Sequence, residues 1–157
     1  GYYGSKEKIC TCSDNAISKY MNKLSGPLLD RIDIQIEVNP VEYENLMENE
    51  VEETSEQIRK RVDAARKMQT NRYKEYNIFS NSELSPRLLP KFCKMDEESE
   101  NLLHLAFERL KMSARAYTRV LKVARTIADL DNSENIKKKH IAEAIQYRSL
   151  DRKYWSR

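Results

Sequence analysis

The chain has 157 residues, with 28 Lys or Arg against 25 Asp or Glu and a net charge of only +3, which excludes a simple polycation held to nucleic acid by bulk charge. Apolar residues make up 39% and there are only 3 glycines, below the usual ~45–50% apolar content and ~7% glycine, so helices are favoured over turn-rich β architecture. No run approaches ~18 apolar residues and no signal layout opens the chain, so a cytoplasmic protein without a membrane partner is expected.

Gly1, Gly4 and Gly26 are the only glycines, and no glycine-rich phosphate loop is encoded, so the chain by itself is not expected to hydrolyse a nucleotide. The start at Gly1 suggests a processed product or an excised piece. Residues 1–12 read as a polar, turn-rich lead-in. From Ser13, a good N-cap, Ile17, Tyr20, Met21 and Leu24 recur at helical spacing. Ser25-Gly26-Pro27 interrupts that helix, and the proline can start a short turn over Leu28 to Arg31. Ile32, Ile34, Ile36 and Val38 then alternate with Asp33, Gln35 and Glu37, which predicts one strand whose sheet partners lie elsewhere. Residues 41–56 carry seven Glu and no Lys or Arg and read as an acidic linker.

Thr54 with Gln57 has the spacing of a capping box, and a highly charged helix is expected to run on to about Tyr76, with a thin apolar face of Ile58, Val62, Ala65 and Met68. Ser85-Pro86 suggests a short helix, complicated by Pro90. Asp96 opens a helix with Leu103, Ala106, Phe107 and Leu110 on one side. Ser113 opens another to about Leu130, with Tyr117, Val120, Leu121, Ala124, Ile127 and Ala128 inward. The last, about Lys138 to Arg148, presents Ile141, Ala144 and Ile145. These three stripes can bury one another as a small bundle, with Trp155 packing back on it or fraying.

Two groups of residues are suited to phosphate. Arg115, Arg119 and Lys122 fall at i, i+4 and i+7 on one face of the Ser113 helix, Arg125 lies to the side, and no acid occurs between Lys111 and Arg125. A solvated basic face is the plainer reading. Arg31, between a Gly-Pro break and a strand, is either a guanidinium fixed at a sheet rim or a salt-bridge partner of Asp30 or Asp33. Cys10-x-Cys12 offers two thiolates of the four that tetrahedral zinc needs; three cysteines, an odd number, argue against a disulfide framework. Cys93 reads as a small buried hydrophobe. His104 and His140 have no surrounding acid or nucleophile pattern and are assigned no catalytic role.

Three blocks, Leu24 to Asp33, Ser113 to Leu130 and His140 to Arg148, resemble the C-terminal part of the magnesium chelatase-like AAA+ ATPases, and within them the competence-protein branch most closely. The resemblance implies a mainly α fold: a helical AAA+ lid bundle preceded by the last helix and strand of an αβα core. It divides the chain into a core edge over 1–40, the acidic linker over 41–56 and a helical lid over 57–157. It further implies a hexameric, cytoplasmic parent that uses ATP and Mg2+. Arg31 would be the arginine inserted into a neighbouring subunit's site, and Arg115, with Arg119 in reserve, the sensor-2 arginine that contacts nucleotide from the lid. The resemblance implies work on branched DNA, metal insertion into a porphyrin or another substrate. Competence-type members resemble one another in a second cysteine pair upstream of the Gly-Tyr-Tyr-Gly segment, so zinc with Cys10 and Cys12 is an expectation for the parent, not for this chain alone. Two other readings compete: a stand-alone helical module that binds nucleic acid through Arg115, Arg119, Lys122 and Arg125, and a protein-interaction domain whose acidic 42–56 run faces a basic partner.

Overall fold

Most helix starts among the described residues are set by one side-chain oxygen that accepts an N–H of the first turn. The computed structural model describes residues 2–5, 8–38 and 53–148. Ser13 caps α1 (Asp14–Met21) and Ser25 caps α2 (Gly26–Leu29), with Pro27 in the first turn of α2. Thr54 opens α3 (Ser55–Arg72) with both arms of a capping box: the Thr54 N–H donates to Gln57 Oε1 at 2.8 Å and the Gln57 N–H to Thr54 Oγ1 at 3.3 Å. A 3-10 turn (Asn81–Glu83) and the short α4 (Leu89–Phe92) follow. Asp96 caps α5 (Glu97–Arg109) and Ser113 caps α6 (Ala114–Leu130). Each such cap contributes roughly 1 kcal/mol. The last helix, α7 (Lys138–Gln146), begins differently. His140 is 1% exposed and its Nδ1 accepts the Lys137 N–H at 3.0 Å, which leaves Nε2 to hold the proton facing Asp131 Oδ2, 3.0 Å away.

The described part of the chain is thus mainly α, as expected, with three departures. Residues 32–38 form no strand: the Gln35 N–H donates to the Tyr147 carbonyl at 3.0 Å, and no ladder exists among the described residues. A strand needs a second strand for its N–H and C=O groups, and the described residues offer helices. Ile36 and Val38 consequently stay 68% and 87% exposed. The short helix starts at Leu89 and not after Ser85, because Pro90 has no N–H to give a preceding carbonyl and fits only in a first turn. Helices α1, α3 and α7 end at Met21, Arg72 and Gln146, short of Leu24, Tyr76 and Arg148. The acidic stretch lies mostly outside the described residues, as does Trp155.

The expected stripes of α6 and α7 supply much of the core, but of the expected α5 stripe Leu103, Ala106, Phe107 and Leu110 only Leu103 is fully buried. Leu103 of α5, Val120, Leu121 and Ala124 of α6 and Ile141 of α7 pack with Tyr73 and Leu84. A parallel bridge between Met95 and Ile136 joins the loops ahead of α5 and α7. Helix α3 rides the edge: Ala65 and Gln69 are buried, while Ile58 and Val62 remain exposed. What fastens α3 is polar. Arg72, in its last turn, pairs both guanidinium nitrogens with the carboxylate of Asp129 on α6. Arg125 reaches the same carboxylate, with Nη2 3.0 Å from Oδ1. Asn81 joins through Nδ2, 2.8 Å from Asp129 Oδ2, and accepts the Tyr73 hydroxyl at 2.6 Å. Asp129 is 2% and Arg125 1% exposed.

Removing one partner of a buried ion pair strands the other charge, at about 3–5 kcal/mol. Asp129→Ala should therefore lower unfolding free energy in urea by about 3–5 kcal/mol, while removal of the exposed Lys138–Glu98 pair changes it by about 1 kcal/mol or less. A loss of under about 1 kcal/mol for Asp129→Ala would remove the network from its structural role. Asp131 supplies the pH test. Hydrogen bonds from Lys139 and His140 hold its carboxyl at about 2, below its ordinary 3.8. A depressed carboxylate stabilises the fold above its unfolded pKa and loses that contribution as pH falls through the folded one. The stability advantage of the natural chain over Asp131→Asn should be full above about pH 4 and shrink towards about pH 2; equal acid limbs in the two unfolding profiles would contradict it.

Candidate functional site

Helix α6 turns its apolar residues to the core, and the i, i+4, i+7 spacing then carries Arg115, Arg119 and Lys122 to the opposite side. The three line one cavity of about 620 Å³ with Asp33, Ser82 and Glu143. Cavities of about 570 and 560 Å³ open elsewhere beside Tyr117. Size does not single out the first, but it alone of the three contains arginine.

Within that cavity the cations differ. Lys122 Nζ donates to the Ser82 carbonyl at 2.7 Å, and burial, then the nearby Arg119, lowers its pKa. Arg119 pairs with Asp33, whose side chain is half exposed. Such exposed pairs contribute about 0–1 kcal/mol, so Arg119 can leave Asp33 for a phosphate oxygen at little cost. Arg115, in the first turn of α6, is exposed and has no side-chain partner among the described residues. The expected basic face therefore exists, with one uncommitted arginine and one that is lightly held.

Arg31 lies outside this cavity, on the exposed turn that ends α2. The salt bridges that would explain it locally are not made. Asp30 accepts the Ser113 hydroxyl at 2.7 Å and Arg148 at 3.3 Å, and Asp33 takes Arg119. Both flanking carboxylates are engaged, and the Arg31 side chain has no partner among the described residues.

Other expectations change. Arg125 is no part of the outward basic face: it is buried, and besides Asp129 it donates to the carbonyls of Ser133 and Glu134 at 2.6 and 2.7 Å. An αL residue at Asn132 turns the chain so that these carbonyls meet it. The nucleic-acid module read from four cations loses that one. The buried network was not anticipated. Its signal was Asp129 itself, an acid in the last turn of a helix, where the dipole disfavours negative charge, placed i+4 from an arginine.

Cys10 is half-buried and Cys12 exposed, and neither forms a disulfide. The backbone N–H of Cys12 holds the Cys10 thiol below its ordinary value. No group of three or more His, Cys, Asp or Glu capable of holding a metal occurs among the described residues. Two thiols do not close a tetrahedral zinc site, and no third ligand joins Cys10 and Cys12 among the described residues. Cys93 is buried as expected, and burial pushes its thiol up to about 11, which makes it inert.

Residues 52–148 match the family described as magnesium chelatase, subunit ChlI C-terminal, and residues 1–46 match magnesium chelatase, subunit ChlI. The chain is 39% identical over 142 residues to competence protein ComM of Haemophilus influenzae, covering 89% of this chain and 27% of ComM. It is 38% identical over 154 residues to the uncharacterized protein YifB of Escherichia coli, covering 97% of this chain and 29% of YifB. It is 31% identical over 139 residues to the uncharacterized protein Rv2897c of Mycobacterium tuberculosis, covering 88% of this chain and 27% of that protein. The chain thus spans under a third of the length of these relatives. No helix among the described residues is long and apolar enough to cross a membrane.

Inorganic tripolyphosphate should bind this chain at low ionic strength. A hydrogen bond to a charged group is worth about 1.5–3 kcal/mol, so Arg115→Ala should weaken that binding by about 10- to 100-fold in calorimetry. Unchanged affinity in Arg115→Ala would remove the α6 cavity as a phosphate site.

Proposed function

The chain belongs to the magnesium chelatase ChlI C-terminal family, and from that membership we propose that it is the C-terminal part of a ComM-like AAA+ ATPase, comprising the edge of the nucleotide-binding core and the helical lid. In this reading the parent is a cytoplasmic hexamer that hydrolyses ATP with Mg2+ and works on DNA. The likeness to a competence protein favours DNA over metal insertion as the work performed. The residues that grip the triphosphate and Mg2+ belong to sequence outside this chain, and any zinc held through Cys10 and Cys12 takes its remaining ligands from there too.

Two residues of this chain do the chemistry of the composite site. Arg31 reaches the ATP of a neighbouring subunit, where its rigid fork stabilises charge that develops on the transferred phosphoryl oxygens. Arg115 binds phosphate from the lid of its own subunit, and Arg119 joins it when released by Asp33. The observation that carries the reading is the state of Arg31 and Arg115: both are exposed, and neither has a side-chain partner among the described residues. Exposed arginines held apart from nearby acids are suited to an anion supplied from outside.

In the full-length protein, Arg31→Ala should leave ATP affinity within about threefold and reduce hydrolysis by about 10³-fold or more, the scale set by other arginine fingers. Hydrolysis assays that find near-normal turnover in the assembled variant would remove Arg31 from the mechanism.

A further inference from the structure

We propose that Asp30 is a positioning residue that couples Arg31 to the helix bearing Arg115, so that the two arginines move as one unit; the proposal rests on the reading of Arg31 given above. Both oxygens of the Asp30 carboxylate are used, and both are used on the lid. Oδ2 accepts the Ser113 hydroxyl at 2.7 Å. Oδ1 accepts Arg148 Nη2 at 3.3 Å.

Ser113 is the N-cap of α6, and its Oγ also accepts the Ala116 N–H at 3.1 Å. One hydroxyl therefore gives its proton to Asp30 and its lone pair to the first turn of α6, the turn that contains Arg115. Arg148, just past the end of α7, is 5% exposed and adds a bond from Nη1 to the Ile32 carbonyl at 2.8 Å. Residues 30 and 32, on either side of Arg31, are thus held by the same guanidinium. Asp33 completes the clamp by pairing with Arg119 one turn further along α6. These contacts cross 83 to 118 positions of sequence, so local chain geometry does not produce them. They hold the backbone around Arg31 and leave its side chain to reach outward. A shift of α6 when Arg115 takes up phosphate is carried through Ser113 and Asp30 to the turn that presents Arg31.

The test is a double-mutant cycle in the full-length ATPase, with MgATP turnover and the affinity of a fluorescent ATP analogue measured for each variant. Asp30→Asn should lower kcat about 10-fold with analogue affinity within about twofold, the pattern of an interaction made in the transition state only. Ser113→Ala should do the same and Ser113→Thr, which keeps the hydroxyl, should restore turnover. In an Arg31→Ala background Asp30→Asn should lower kcat no further, because the residue it positions is gone. The Ser113 pair gives the same comparison if Asp30→Asn does not fold. Normal kcat in Asp30→Asn or Ser113→Ala, or losses that multiply with Arg31→Ala, would overturn the coupling. Arg31→Ala alone separates the two levels: impaired turnover there with a normal Asp30→Asn rejects the coupling and keeps the finger, whereas normal turnover in Arg31→Ala rejects both.

Discussion

A carboxylate with almost no exposure to water, Asp129, holds two guanidinium groups at once, and the rest of the lid is arranged around it. Arg72 arrives from the end of α3 and Arg125 from one turn earlier on α6 itself. Asn81 adds a third donor from the 3-10 turn. A charge in such surroundings is stable only when paired and hydrogen-bonded, and each partner comes from a different element or turn. The network thereby fixes α3 against α6 where the apolar face of α3 is too thin to do so. It also sets the rotation of α6. With Arg125 and Asp129 directed inward beside Val120, Leu121 and Ala124, the face carrying Arg115, Arg119 and Lys122 has to look outward.

The chain's near-neutral charge takes on meaning at the level of individual pairs. Among the described residues, Arg61 is matched to Glu53, Arg72 and Arg125 to Asp129, Arg119 to Asp33 and Arg148 to Asp30. These pairs are of two kinds. Those around Asp129 are buried and structural, whereas Arg119–Asp33 is half exposed and can open. Arg31 and Arg115 stand outside both kinds. A net charge of +3 therefore describes a molecule in which many cations have assigned acids and the two arginines proposed for function do not.

Much of this was legible in the amino-acid sequence because helix caps are local. Ser13, Thr54, Asp96 and Ser113 each mark a start that the structure keeps, and the 3.6-residue periodicity of α6 and α7 pointed to much of the core, whereas from the α5 stripe only Leu103 is fully buried. What escaped was non-local. The alternation of Ile32, Ile34, Ile36 and Val38 has the period of a strand, but a strand is a property of two segments, and the second is not in the described chain. Pro90 shifted a helix start because a missing N–H outweighs a good cap residue five positions earlier. Arg125 was grouped with the surface cations because its spacing placed it on a flank, and a flank is buried or exposed only once α3 has docked. The arginines proposed for function were singled out in the sequence by spacing and setting, with their roles implied by resemblance to a family, whereas the engagement of Asp30 and Asp33 elsewhere was not legible, since both contacts come from more than 80 residues away.

In the proposed mechanism Arg31 acts on a nucleotide bound by another subunit. Mixing two inactive full-length variants tests it most directly: Arg31→Ala, whose own phosphate-binding residues are intact, and a variant with the phosphate-binding lysine of the ATP site replaced, whose Arg31 is intact. If Arg31 reaches across an interface, subunits of the first kind supply a working ATP pocket and those of the second supply the arginine. The mixture should then hydrolyse ATP although neither variant does so alone. A mixture that co-assembles and stays as inactive as its components would contradict the account.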